Sequence, residues 1–323
     1  MCVSCPDQPC RGRPAPSCQI KARRATLRHS LPEEMRMTEV LPDVADLYTA
    51  LLQSGVAPEK LEALIGASSA AVQARLAQVD QGVLRAILRK AAGGEAVPGV
   101  TKLKAWLSTA EVQPVVRPLP DHSNARLLRA DGSDPSMPEY SDRAFDAWFE
   151  ALQLPYGTGP RGEKRSCYAS DQFADAASPE RRQVHLGIDI FAPALTPVYA
   201  PLPGVVRSVS YNADPLDYGH TLILEHDGGG LPFFTLYGHL ADTLPSLVQP
   251  GDSIEAGQPI AHFGDWHENG GWSPHLHFQI MSDLLEQSGN FFGVGHESLM
   301  AVWDDICPDP GLLLRLPEGL RRA

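Results

Sequence analysis

The chain has 323 residues, 43% of them hydrophobic, which is enough for one large domain or two ordinary domains around a sizeable core. Its formal net charge of −12 argues against a nucleic-acid partner, because nucleic-acid-binding surfaces are basic. The sequence contains no apolar run long enough to form a transmembrane segment.

The first 37 residues differ in composition from the rest of the chain. Residues 1–35 carry six basic and three acidic side chains, and four of the six cysteines. No hydrophobic segment follows the basic residues, as it would in a secretory signal peptide. We therefore predict that residues 1–37 form a disordered, basic, cysteine-containing leader. The sequence as written predicts a cytoplasmic protein, or a periplasmic or extracellular one if the start is misassigned or export is unconventional.

Residues 38–111 show apolar residues at helical spacing. The stretch VADLYTALLQSG predicts a helix that ends at Gly55. Its apolar face is expected to consist of Val44, Leu47, Leu51 and Leu52. Pro58 opens a second helix, and further helical periods follow in AAVQARLAQVD, QGVLRAILRKAAGG and TKLKAWLSTAE. We predict a helical module over residues 38–111.

Residues 112–140 are interrupted by five prolines among Asp, Ser and Gly residues. This composition is typical of a linker or of an ordered, irregular strap. As a strap, the segment would contact the groove of the domain that follows. A short helix in DRAFDAWFEALQL then leads into residues 141–323.

The sequence beyond Val184 is typical of an all-β domain. Short apolar runs alternate with glycine, proline and aspartate in PVYAPLPGVVRSVSYN, GHTLILEHDGGG, PFFTLYGHL, GDSIEAGQPIAHFGD and PHLHFQIM. Many short strands with glycine-bearing turns indicate an antiparallel barrel or sandwich. The fold class is therefore α+β overall, with an N-terminal helical module and a C-terminal all-β antiparallel domain.

Nine of the eleven histidines lie at or beyond His185, within this β-rich part. His185 and Asp189 in VHLGIDIF are four residues apart, about 13 Å on a straight strand, so the chain must bend at Gly187 to bring both to one ion. His275 and His277 are two residues apart and project from one face of a strand. His239 in LYGHL supplies another imidazole. Three mixed nitrogen and oxygen ligands suit a catalytic zinc, but spacing alone does not decide which groups bind it.

The motifs HLGID, LYGHL and SPHLHF, in this order and with these separations, resemble the signature of M23 (LytM/lysostaphin-type) zinc metallopeptidases. The resemblance covers about residues 180–285. It implies a LytM-like, duplicated-hybrid-motif fold with a long groove, in a peptidase domain spanning residues 141–323. It also implies a zinc-dependent endopeptidase that hydrolyses peptide bonds in peptidoglycan cross-links or stem peptides.

The resemblance also assigns roles to residues. One Zn²⁺ ion would be held by His185, Asp189 and His277, and His239 and His275 would act as general base and oxyanion partner. Trp272, in the NGGWSP turn, is a candidate substrate-binding residue. Two alternatives remain open at this point: an M23-like binding or regulatory domain without turnover, and a histidine phosphocarrier of related fold. A lipoyl-type carrier is excluded because no lysine follows Lys164.

Overall fold

The computed structural model describes residues 40–322, which lie in one compact unit, Met37–Ala323. The predicted leader over residues 1–37 lies outside the described residues. The described part begins with helices and continues into a sheet-rich part that also carries helices, so the predicted α+β fold class is confirmed. None of the helices in the described part combines the length and the apolarity needed to cross a membrane.

Within residues 40–322, five α-helices precede the sheet: α1 (Leu47–Ser54), α2 (Leu61–Ala67), α3 (Ala70–Leu76), α4 (Gln81–Ala91) and α5 (Val100–Thr109). The Asp46 carboxylate accepts from the backbone N–H groups of the first turn of α1 and fixes its start. Val44 therefore precedes the helix and is 40% exposed, so its predicted place on the buried face is wrong. Leu47 and Leu51 are buried as predicted.

The remaining helices lie within the sheet-rich half: α6 (Ala144–Ala151), α7 (Leu244–Leu247), α8 (Met300–Ile306) and α9 (Gly311–Leu314). The strands are β1 (Ala125–Leu127), β2 (Tyr156–Gly159), β3 (Val184–His185), β4 (Ile188–Phe191), β5 (Pro197–Tyr199), β6 (Gly204–Asn212), β7 (Gly219–Asp227), β8 (Pro232–Leu240), β9 (Ser253–Ile254), β10 (Pro259–His262), β11 (His275–Met281) and β12 (Val294–Gly295). This half therefore contains more helix than the all-β description predicted.

The largest sheet has eight strands in the order β1-β2-β4-β11-β8-β7-β6-β9. Its neighbouring strands run antiparallel, except that β1 and β2 pair in parallel. Strand β11 lies between β4 and β8, and all seven of its residues are buried. In this register His277 stands opposite Asp189 of β4 on one side and Gly238 of β8 on the other. The sheet thus brings two distant sequence motifs to one place.

The helices share hydrophobic core with the sheet. One buried cluster contains Leu84 and Ile87 of α4 together with Ile223 of β7 and Trp303 of α8. A buried carboxylate, Asp305 of α8, connects this helix to α4 and α5: it accepts from the ammonium groups of Lys90 and Lys104 and from the backbone N–H of Ala96. Helices and sheet therefore depend on each other for burial.

The proline-rich segment 112–140 lies along the strands. The carbonyl of Val115 accepts from the N–H of Tyr199, and β1 pairs with β2. Further along, the ring of Tyr140 lies 4.6 Å from the ring of Phe191 in β4, and its carbonyl accepts from the N–H of Ser273. The segment is thus an ordered part of the unit that reaches the border of the histidine cluster.

Candidate metal centre

Three side chains from separate strands converge on one point inside the sheet: His185, Asp189 and His277. His185 Nε2 lies 3.1 Å from His277 Nδ1 and 3.2 Å from Asp189 Oδ1, and His277 Nδ1 lies 3.2 Å from the same oxygen. All three residues are at most 4% exposed. Three lone-pair donors therefore form a nearly equilateral triangle in a buried place.

The chain achieves this by interrupting a strand. Strand β3 ends at His185 and β4 begins at Ile188, so Leu186 and Gly187 provide the bend that the spacing of His185 and Asp189 required. Gly187 also makes room for the opposite imidazole, because a Cβ atom there would lie only 2.5 Å from His277 Nε2. A side chain at this position would push His277 out of the triangle.

The donor triangle fits a tetrahedral metal ion. Zinc bonds to histidine nitrogen and carboxylate oxygen are about 2.0–2.1 Å long, so two ligands of a tetrahedral zinc lie about 3.3 Å apart. The three observed separations are close to this value. Three protein ligands leave one tetrahedral position for water or substrate, as in catalytic zinc sites.

The outward nitrogens of both imidazoles are hydrogen-bonded. His185 Nδ1 lies 2.9 Å from the carbonyl oxygen of Pro160, and His277 Nε2 lies 3.0 Å from Oε1 of Gln279. In each ring the outward nitrogen carries the proton, so the inward nitrogen presents its lone pair to the triangle. Gln279 is itself held, because its amide donates to the carbonyl of Phe292. Sequence analysis did not identify Gln279.

The negative charge of the third donor, Asp189, is balanced by a cation at the carboxylate oxygen outside the triangle. Its Oδ2 lies 2.8 Å from Nη1 of Arg165, and the Nε of Arg165 lies 2.9 Å from Glu163 Oε2. Burial alone would raise the pKa of Asp189, but the His185 imidazole and the Arg165 guanidinium outweigh burial and hold this pKa well below its usual range. Asp189 is therefore an ionised oxygen donor. Sequence analysis missed Arg165 and Glu163 as well.

His239 and His275 stand beside the triangle, with ring centroids 4.2 Å apart. His239 Nδ1 lies 2.7 Å from the carbonyl oxygen of Asn269, and His275 Nδ1 lies 2.7 Å from that of Ser273. These bonds place the proton of each neutral ring on Nδ1 and leave Nε2 as a proton acceptor. Burial lowers the pKa of His275 to about 4, and burial with the neighbouring histidines holds the pKa of His239 well below its usual value.

The backbone of His239 has a φ of 61°, in the left-handed region that residues other than glycine seldom adopt. The residue is the last but one of strand β8, and its N–H donates to the carbonyl of Tyr218. Backbone strain of this kind is common at functional sites. The unusual conformation directs the ring toward His275.

A cavity of about 290 Å³ adjoins the histidines. Its lining includes His239, His277, Trp272 and Tyr218, and every described residue that lines it comes after residue 167. Segment 112–140 therefore does not line this cavity. Trp272 is only 3% exposed and its indole Nε1 donates to the carbonyl of Asp217, so most of its surface is packed. Its role in substrate binding stays a prediction.

Tyr218 is a further polar group at the cavity. Its hydroxyl is buried and has no hydrogen-bond partner within residues 40–322. Burial raises the pKa of this phenol well above its usual value, so the hydroxyl keeps its proton. Its ring centroid lies 5.1 Å from that of His277. Sequence analysis did not identify Tyr218, which has no motif of its own.

The donor triangle, the two flanking histidines and the antiparallel sheet together define a candidate metal-dependent hydrolase site. Residues 183–288 match the family model of Peptidase family M23. The resemblance predicted from HLGID, LYGHL and SPHLHF is therefore confirmed over these residues.

Individual relatives match the same part of the chain. An uncharacterized metalloprotease of Haemophilus influenzae is 35% identical over 100 residues, which are 31% of this chain and 19% of that protein. The peptidoglycan DD-endopeptidase ShyC of Vibrio cholerae is 32% identical over 106 residues, 33% of this chain and 22% of that protein. The uncharacterized lipoprotein YgeR of Escherichia coli is 40% identical over 94 residues, 29% of this chain and 33% of that protein. The matches thus span a third or less of each relative.

Solved structures of peptidases are also similar. A zinc-containing peptidase from Vibrio cholerae shares 32% identity over 32% of this chain and 31% of that one, with a TM-score of 0.26. The catalytic domain of lysostaphin from Staphylococcus simulans shares 25% identity over 37% of this chain and 80% of that one, with a TM-score of 0.27.

Proposed function

We propose that the protein is a zinc-dependent endopeptidase that hydrolyses peptide bonds in peptidoglycan cross-links or stem peptides. The observation that carries the proposal is the buried triangle of His185 Nε2, Asp189 Oδ1 and His277 Nδ1, with its separations of 3.1–3.2 Å. The match of residues 183–288 to Peptidase family M23 supports the reaction class. The similarity to the endopeptidase ShyC supports the substrate class.

The proposed reaction assigns a separate task to each part of the site. His185, Asp189 and His277 would hold one Zn²⁺ ion, which when bound makes water more acidic and polarises a carbonyl group. The outward hydrogen bonds to Pro160 and Gln279 keep both imidazoles oriented.

The flanking histidines supply proton transfer. Both have an unprotonated Nε2, and His275 Nε2 lies 3.9 Å from Asp189 Oδ1, at the edge of the triangle. One of the two rings accepts the proton of the attacking water at Nε2 and later returns it to the leaving amine. Their close contact disfavours two simultaneous charges, so only one of the two rings is protonated at Nε2 at any point of the cycle.

Negative charge that develops on the carbonyl oxygen needs a donor. The histidine ring that has received the proton is one such donor, in line with the predicted oxyanion role. The Tyr218 hydroxyl is another, because it keeps its proton and makes no hydrogen bond within the described chain. Both groups line or adjoin the cavity in which the peptide would lie.

Incubation of the purified, zinc-loaded full chain with isolated peptidoglycan tests the proposal. Mass spectrometry should detect new peptide fragments with the unaltered chain and with His267→Ala, a matched change at a histidine side chain that is 73% exposed. His239→Ala should yield none. Zinc-loaded protein that releases no fragments from peptidoglycan would overturn the proposal and favour a binding domain. Phosphorylation of a histidine by a phosphocarrier partner would favour the other alternative, a histidine phosphocarrier of related fold.

A further inference from the structure

A guanidinium group that forms no ion pair within residues 40–322 lies on the wall of the candidate substrate cavity. Arg182 lines this cavity together with His239 and His277. It also lines a second cavity of about 410 Å³, bordered by Tyr48 of α1 and Val83 of α4. Gln287 and Phe292 are shared between the two cavities in the same way. Arg182 therefore stands where the peptidase half meets the helices.

The contacts of Arg182 leave much of its hydrogen-bonding capacity unused. Nη2 donates to the carbonyl of Gln172 at 2.9 Å, and the guanidinium carbon lies 5.2 Å from the centre of the Phe292 ring. Nε is buried without a hydrogen-bond partner, and within residues 40–322 the side chain joins no ion pair. Burial lowers the pKa of this guanidinium, and the Asp175 carboxylate opposes that shift.

The neighbouring acid Asp175 acts on this charge from a distance but forms no ion pair with it, and the acids around Arg182 are engaged by other groups. Asp175 accepts from the hydroxyl of Tyr48 and from the N–H of Ala177, and it lies 3.4 Å from His296 Nε2. Asp217, on the cavity wall, accepts from Asn290. An arginine that forms no ion pair can bind a carboxylate through the N–H groups of its guanidinium that face the cavity.

We propose that Arg182 binds the terminal carboxylate of the peptide substrate within the cavity beside His277. The inference rests on the proposed function and names one specificity determinant of the same site. A cavity of about 290 Å³ lies at the small end of ligand pockets, which suits the end of a peptide better than a continuing chain. Asp214 and Asp217 also line the cavity, and their carboxylates would repel any anion that is not bound by Arg182. Arg182 thus favours substrates that end in a free carboxylate.

The test uses two cross-linked stem peptides that differ only at the terminal group, one a carboxylate and the other a carboxamide. With the zinc-loaded full chain, kcat/KM should be at least tenfold higher for the carboxylate peptide, mainly through a lower KM. Arg182→Gln should abolish the preference, and Arg182→Lys should keep part of it. The matched control Arg181→Gln removes a neighbouring exposed arginine that pairs with Asp171, and it should keep the full preference.

Affinities measured in a full-length His275→Ala background separate this inference from the proposed function, because His275 does not line the cavity. Tighter binding of the carboxylate peptide by the His275→Ala chain would support the role of Arg182. If the unaltered chain then cleaved neither peptide, the endopeptidase assignment alone would be overturned. The role of Arg182 would be overturned if the unaltered chain bound and cleaved both peptides with equal efficiency. This comparison does not depend on any Arg182 variant folding correctly.

Discussion

Arg165 Nη1 lies 2.8 Å from Oδ2 of Asp189, while Oδ1 of the same carboxylate faces the two imidazoles of the donor triangle. The guanidinium holds Asp189 ionised and fixes its rotation, and both effects favour a cation at Oδ1. Arg165→Lys and Arg165→Gln should therefore weaken zinc binding by about 10- to 100-fold, with glutamine the more severe change. Competition with a fluorescent chelator measures the affinity.

Lys164→Gln is the matched control for this prediction. Lys164 is the neighbouring cation, pairs with Glu297 on the surface and has a side chain that is 58% exposed. Its removal should leave zinc affinity unchanged. Equal zinc affinity in the unaltered chain and in both folded Arg165 variants would show that Asp189 needs no support from the guanidinium.

Gln279 is expected to matter through its oxygen. Its Oε1 accepts the Nε2 proton of His277, so Gln279→Leu should free that ring to rotate and should lower zinc affinity about tenfold or more. Gln279→Glu keeps an acceptor at the same place and should retain most of the affinity. Calorimetric titration with zinc compares the two variants, and identical losses in both would indicate a packing role.

Zinc should stabilise the folded chain. The donor triangle forms only on folding, so at a free zinc concentration of 1,000 times Kd the gain is about 4 kcal/mol. A chelator should lower the melting temperature of the unaltered chain and of His267→Ala, but not that of His277→Ala. A melting temperature that ignores zinc in the unaltered chain would contradict a metal site at this triangle.

Asp305 should make the stability of the protein depend on pH. Burial opposes ionisation of Asp305, but its hydrogen bonds to Lys104, Lys90 and the Ala96 N–H hold its pKa below the usual value. A carboxyl group with a lowered folded-state pKa contributes stability above its unfolded pKa, near 4, and loses it as the pH falls through the folded value. Asp305→Asn should thus cost about 1–3 kcal/mol at pH 7 and progressively less below pH 4.

Urea denaturation at pH 7 and at pH 3 measures this difference in the free energy of unfolding. Asp304→Asn is the matched control, because the adjacent Asp304 side chain is 52% exposed and pairs with Arg161 at the surface. The control should change stability little at either pH. A penalty for Asp305→Asn that is the same at both pH values would rule out the ionised carboxylate as its source.

The strand segments could be predicted because their signals are local, whereas the grouping of His185, Asp189 and His277 was implied by the family resemblance. Alternating apolar runs such as PHLHFQIM and GHTLILEHD became β11 and β7, and the bend at Gly187 followed from the distance that a straight strand would impose. The three motifs fixed the order of the histidines, and the antiparallel register then brought His277 opposite Asp189.

The supporting residues could not be predicted because their burial is decided by tertiary packing. The sequence GEKR is typical of a solvated, charged segment, yet Arg165 is 2% exposed and lies 2.8 Å from the donor carboxylate of Asp189. Gln279 looks like any polar residue on a strand, and Tyr218 lies in a loop-like context without a motif. The parallel pairing of β1 with β2 likewise depends on contacts between segments that carry weak periodic signals.

The cluster that joins Leu84 and Ile87 of α4 to Ile223 of β7 has a consequence for the way the chain comes apart. Neither half can be withdrawn without exposing apolar surface of the other, so heating should melt both in a single cooperative transition. A protease cut between α5 and β1 should leave two fragments that remain associated. Polypeptide continuity is then dispensable at that point, and the two pieces would behave as subunits of a heterodimer.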